Sequence, residues 1–189
     1  MVEKVIEEVL FYILKCIYFI VPGAFAVMTP IFVKDHFKWL AIPVDFGKTF
    51  KGKPLFGKNK TYRGFVSGVL VCIIFAYLQK FLYQSRSFHN LSFVDYYGID
   101  ILLFGFLMGF GALFGDLVKS FFKRQIGIDP GKPFMPWDQI DSVIGGFVFI
   151  LPLFRPTLIM FVTVLIVSFL IHITNRTIAY KLKLSKDRW

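Results

Sequence analysis

Between positions 116 and 141 this 189-residue chain sets four carboxylates, Asp116, Asp129, Asp138 and Asp141, among Lys119, Lys123, Arg124 and Lys132, with phenylalanine-rich apolar sequence on both sides. A carboxylate within or at the mouth of such sequence is costly to desolvate, and by default it marks a bound cation or a basic partner. Oxygen ligands with no His or Cys among them favour a hard cation. Mg²⁺ takes one or two carboxylates and completes its shell with water and phosphate oxygens. Lysines and an arginine around that shell point to a polyphosphate substrate.

Helical spacing sharpens the pattern. At about 100° per residue, Asp116, Lys119, Ser120, Lys123 and Arg124 share one face while Phe121 and Phe122 point elsewhere. A salt-bridged helix end accounts for Asp116 with Lys119 or Ser120 taken alone. Asp138 and Asp141 stand i, i+3 just after Pro136, so a helix starting there presents both carboxylates the same way. Capping accounts for either, since acids suit a helix N-terminus, but poorly for both together with Asp116 and Asp129. A second anion-binding candidate is "FGKNKTYRG", residues 56–64, in which Gly57 and Gly64 bracket Lys58, Asn59, Lys60, Thr61 and Arg63. It lacks the Gly-Lys-Ser/Thr ending of a P-loop.

The elements that must carry these residues are apolar. Hydrophobic residues make up 56% of the chain, with 25 Phe and a mean hydropathy of +0.65, beyond what a soluble globule of this size carries. Five segments approach the roughly 20 residues needed to cross a bilayer. They run from about Val9 to Met28, Gly64 to Tyr83, Ile99 to Val118, Ile140 to Phe154 and Thr157 to Ile173. The fourth is short, and a turn from Pro152 to Pro156, with Arg155 at its tip, pairs it with the fifth. The expectation is an all-α integral membrane protein, a single domain over residues 1–189 with five transmembrane helices, because lipid demands that each spanning segment satisfy its own backbone.

Charge orients the bundle. The loops at about 29–63 and 119–139, with the tail, hold 17 of the 22 basic residues. By the positive-inside rule these lie in the cytoplasm, with the N-terminus outside and the C-terminus inside. The tail residues Arg176, Lys181, Lys183, Lys186 and Arg188 read as topogenic only. The acidic leader, Glu3, Glu7 and Glu8 against Lys4, argues against a signal peptide. Cys16 and Cys72 sit in apolar runs and point to neither a disulfide framework nor a zinc site. His36, His89 and His172 are isolated and are expected to have no catalytic part. The +10 net charge reads as topology and attraction to anionic headgroups, and nucleic acid is not an expected partner.

"GDLVKSFFKRQIGIDPGKP" followed by "PWDQIDS" resembles the C-terminal signature of the phosphatidate cytidylyltransferase (CDP-diglyceride synthase) superfamily, and "NKTYRG" is similar to an upstream element of that family. Ile128 stands where the bacterial form has Lys, and Met135-Pro136-Trp137 replaces a Gly-His-Gly-Gly run. These departures, with the small size, resemble the archaeal branch, the CDP-archaeol synthases. The resemblance implies transfer of CMP from CTP to an isoprenoid glycerol phosphate, unsaturated archaetidic acid, in the cell membrane, with release of pyrophosphate. Asp138 and Asp141 are then expected as Mg²⁺ ligands, with Asp116 and Asp129 as further ligands or their supports. Lys123, Arg124, Lys60 and Arg63 are expected to neutralise triphosphate and lipid phosphate, alongside Lys119, with Asn59, Thr61 and Ser120 donating hydrogen bonds. An oligomer is compatible with the sequence. The rival readings are a polytopic transporter, which lacks the expected midplane acids in two halves, and a CDP-alcohol phosphotransferase, whose Asp-Gly-x-x-Ala-Arg signature is absent.

Overall fold

The computed structural model describes residues 1–130 and 132–181. Gly131, the side chain of Arg176, and Lys183, Lys186 and Arg188 of the topogenic tail lie outside the described residues. Among the described residues six α-helices dominate: α1 (Val2–Phe32), α2 (Tyr62–Leu82), α3 (Arg86–Leu91), α4 (Ile101–Gln125), α5 (Trp137–Ile150) and α6 (Leu158–Lys181). Between α1 and α2 lie a 3₁₀ turn at Lys38–Leu40 and a small antiparallel hairpin, β1 (Thr49–Phe50) with β2 (Lys53–Pro54), in register Thr49 to Pro54 and Phe50 to Lys53.

Among the described residues four stretches are long and apolar enough to cross a membrane: α1, α2, α4 and residues Leu158–Asn175 of α6. The expected fourth span is instead the 14-residue α5, about 21 Å long against a hydrocarbon core of about 30 Å. Residues 151–157, with Pro152 and Pro156, end its helical path. A second departure concerns the loop expected at about 119–139: α4 runs on to Gln125, so Lys119, Ser120, Lys123 and Arg124 stand on a helix. Their side chains are thereby held in fixed rotation relative to Asp116.

Helix starts are specified locally. Thr61 caps α2 by accepting the Gly64 N–H at 3.3 Å, and Asp100 caps α4 by accepting the Leu103 N–H at 3.1 Å. The core between α1, α2, α4, α5 and α6 is built from Phe19, Phe104, Phe147, Ile150, Met160 and Val164. Apolar side chains such as Leu70, Ile74, Leu158 and Ile166 stay exposed on the outside of the bundle, as lipid-facing positions should.

Lipid gives little hydrophobic drive between helices, so close backbone approach through small residues does the packing. A Cβ on Gly109 would stand 2.7 Å from Cys72 Cβ, and one on Gly68 would stand 2.6 Å from the Ala26 carbonyl oxygen. The tightest seam joins α4 to α5, where Gly111 meets Gly145 and Gly115 meets the backbone of Asp141. That seam sets the two acidic helix faces side by side.

Candidate active site

The carboxylates of α4 and α5 converge. Asp116 Oδ1 and Asp141 Oδ2 each lie 2.9 Å from Lys119 Nζ, and Asp138 Oδ1 lies 3.1 Å from it. Lys60, arriving from the turn before α2, donates to the other oxygen of Asp116. Lys123 pairs with Asp138 Oδ2 at 3.3 Å, and that oxygen also accepts the Phe134 N–H at 2.6 Å. The Asp138 N–H returns a bond to the Phe134 carbonyl at 3.0 Å, which fixes the entry of α5. Three acids and three lysines thus balance one another at the end of an apolar bundle.

Two adjoining cavities open on this cluster. The first, about 360 Å³, is lined by Asp116, Lys119, Asp138 and Asp141 and by the apolar Val27, Pro30 and Ile31 of α1 with Phe65 and Leu113. The second, about 140 Å³, is lined by Lys60, Lys119, Lys123 and Arg124 with Ser120, Asn59 and Gly57, and by no carboxylate. Asn59, Lys60 and Lys119 border both. One chamber is therefore half apolar and half charged, and its neighbour is basic.

Most of the residues picked from the sequence meet here, with three qualifications. Arg63 does not line either cavity, and its guanidinium donates to the His36 carbonyl at 3.1 Å, bracing the loop after α1. Asp129 is exposed and outside both linings, with its carbonyl accepting the Lys132 N–H at 3.2 Å. Ser120 Oγ donates to the Asp116 carbonyl at 2.7 Å, turned back onto its own helix. Thr61 lines the first cavity while capping α2.

Sequence reasoning passed over Asp45, Gln139, Ser142 and the cavity position of His172. Asp45 is 5% exposed and organises the loop that carries Asn59 and Lys60. Its Oδ1 accepts the Gly47 N–H at 2.9 Å, and its Oδ2 accepts those of Phe56 and Gly57 at 3.0 and 3.1 Å. Burial pushes this carboxyl up, but the amides of Phe56, Gly47 and Gly57 outweigh burial and hold it below the usual carboxylate range. The signal in the sequence was Asp45-Phe46-Gly47, an Asx-turn spacing.

The donor set suits a hard cation: oxygen atoms only, from two helices, aimed at one point. Asp141 Oδ2 is buried and its charge is met by the Lys119 ammonium at 2.9 Å, so a cation already stands where a metal ion would. Among the described residues no three His, Cys, Asp or Glu side chains form a ready-made metal shell, and the Lys119 ammonium stands between the three acids. The oxygen chemistry of Asp116, Asp138 and Asp141 suits Mg²⁺, with the Lys119 ammonium at the point such an ion would take.

A charged, two-chambered site cut into one end of an apolar helix bundle defines the class as a polytopic membrane enzyme. The family described as CarS-like, CDP-archaeol synthase, matches residues 9–189, and the chain belongs to it. The CDP-archaeol synthase of Pyrococcus furiosus is 32% identical over 178 residues, covering 94% of this chain and 98% of that one. That of Methanocaldococcus jannaschii is 36% identical over 150 residues, covering 78% and 82%. A solved structure described as an intramembrane enzyme for archaeal membrane lipids biosynthesis shares the fold, with a TM-score of 0.62, 24% identity and coverage of 84% and 90%.

Proposed function

We propose that the enzyme transfers CMP from CTP to an isoprenoid glycerol phosphate, unsaturated archaetidic acid, giving CDP-archaeol and pyrophosphate. The observation that carries this reading is the pairing of a basic cavity with a half-apolar one across a shared cluster of Asp116, Asp138 and Asp141. The triphosphate belongs in the basic cavity, against Lys123, Arg124 and Lys60, with Asn59 and Ser120 close by. The lipid phosphate belongs in the larger cavity, its isoprenoid chains leaving along the apolar α1 side.

In the reaction a phosphate monoester oxygen of the lipid attacks the α-phosphorus of CTP. The bond from that phosphorus to the bridging oxygen of the β-phosphate breaks, and pyrophosphate departs with the electron pair. The nucleophile is already anionic near neutral pH, so no histidine is needed to remove a proton. The difficulty is bringing two anions together, and the lysines and Arg124 lower that barrier by fixed positive charge in a site of low dielectric. Mg²⁺, held by Asp138, Asp141 and Asp116, would neutralise phosphate oxygens and line up the attacking and leaving groups. Arg63 braces the loop after α1 through the His36 carbonyl, and Asp129 stands in the exposed turn after α4.

The same reading makes residues 1–189 one transmembrane domain. The chain crosses five times, α5 and residues 151–157 together making the fourth passage. The N-terminus lies outside, and the C-terminus and active site face the cytoplasm, where CTP is found. The test is purified protein in detergent with CTP, Mg²⁺ and di-geranylgeranyl glycerol phosphate, followed for CDP-lipid and pyrophosphate. Formation of both in equal amounts is expected; no product from folded protein would refute the assignment.

A further inference from the structure

A single ammonium fills the point on which the acids of α4 and α5 converge. Lys119 Nζ lies within 2.9–3.1 Å of one oxygen each from Asp116, Asp138 and Asp141. Its three N–H groups match three separate carboxylates, which is the most an ammonium offers. The side chain is 14% exposed, and those of Asp138 and Asp141 are 13% and 7% exposed. A divalent ion bound by the same oxygens could not share that point with the ammonium, since two cations about 3 Å apart repel strongly in such surroundings.

Lys119 has somewhere else to go. It lines both cavities, and the second is lined by cations and no carboxylate. A lysine side chain is a mobile point charge, able to swing between partners where a guanidinium fork is committed to one geometry. Resting on the metal and triphosphate placements proposed above, we infer that Lys119 is an exchangeable stand-in for the divalent ion. It neutralises Asp116, Asp138 and Asp141 in the ligand-free enzyme and turns into the basic cavity, onto the nucleotide phosphates, when the metal enters.

Two properties follow. Metal and nucleotide bind cooperatively, because each favours the Lys119 position that the other requires. The free enzyme holds its metal loosely, because the ammonium competes for the same oxygens. A lysine that served only to tie α4 to α5 would behave oppositely: removing it would loosen the acids and weaken metal binding.

The experiment measures Mn²⁺ binding to full-length protein in detergent by electron paramagnetic resonance, with and without a non-hydrolysable CTP analogue. K119M is expected to bind Mn²⁺ without nucleotide about tenfold or more tightly than wild type, and to gain less on adding the analogue. K119R, which keeps the charge, is expected not to show the gain. Unchanged or weaker Mn²⁺ affinity in folded K119M overturns the inference, and K119Q, with the same expectation, replaces it if K119M does not fold. Mn²⁺ binding in the presence of the analogue that survives D141N overturns the metal placement itself, so the two failures are distinguishable.

Discussion

Gly115 of α4 lies so close to the carbonyl of Asp141 on α5 that no Cβ fits between them. The contact is backbone to backbone, and it sits one residue from Asp116 and at Asp141 itself. The same closeness at Gly111 and Gly145 continues the seam one turn deeper. The acids of the site are thus neighbours because two helices lack side chains where they touch.

Substituting Gly115 tests this. A methyl group there meets a main-chain carbonyl, which cannot swing aside as a side chain does, so Gly115→Ala should lower stability by about 1–3 kcal/mol, the usual range for overpacking. Gly115→Val should also remove CTP binding by forcing α4 and α5 apart. Gly146→Ala is the control, because its Cβ would meet only the Met108 carbonyl at an ordinary 3.7 Å. Thermal unfolding and nucleotide binding read both effects, and a Gly115→Val protein with wild-type affinity for CTP would remove the seam from the account.

Asp45 gives the fold a dependence on acid. Its folded carboxyl sits below the ordinary value because the amides of Phe56, Gly47 and Gly57 outweigh the effect of burial. A depressed carboxylate contributes stability that is complete above the unfolded value of about 3.9 and is lost as pH falls through the folded value. Asp45→Asn should therefore lower the melting temperature at neutral pH and flatten the wild-type decline below about pH 4. Parallel melting curves for the two proteins from pH 7 down to pH 3 would contradict the role given to this residue.

How much of this was legible in the sequence depends on range. Asp116, Lys119, Ser120, Lys123 and Arg124 could be set on one face because helical periodicity is local, and Asp138 with Asp141 likewise. The pairing of Asp116 with Lys119, which a simple helix-end ion pair explains, is present, but the same ammonium reaches two acids of the next helix. That reach depends on the Gly115 seam, a tertiary fact that no spacing rule reports. The length of α5 was blurred for another reason: Val143 to Phe154 carries no charged side chain, and hydropathy does not register that helical order stops at Ile150. That Arg63 and Asp129 stand outside both cavity linings was not legible, because charge type is visible in a sequence and side-chain direction is not.

Removing either carboxylate of α5 should stop the chemistry while leaving the protein folded. Asp138→Asn and Asp141→Asn keep the side-chain shape and an oxygen acceptor for Lys123 and Lys119 but remove the charge proposed to hold the metal, so each should retain the fold but lose at least about a hundredfold in kcat, the range for one transition-state contact. Chelation of divalent ions should abolish wild-type turnover, and added Mg²⁺ should restore it. Activity that is indifferent to chelation, or near-normal turnover in both variants, would move the catalytic centre elsewhere.

Substituting Arg124 should separate nucleotide binding from lipid binding. One guanidinium nitrogen donates to the Ile128 carbonyl and so shapes the turn after α4, while Nε lies buried without a partner beside Gly57. Arg124 lines the basic cavity and does not line the larger one. Arg124→Lys keeps the charge but loses the planar fork that meets phosphate oxygens two at a time. The expected result is a rise of about tenfold in KM for CTP, with KM for the lipid phosphate unchanged and a smaller effect on kcat. An equal rise in both KM values would place the triphosphate and the lipid in one chamber and contradict the division of labour between the two cavities.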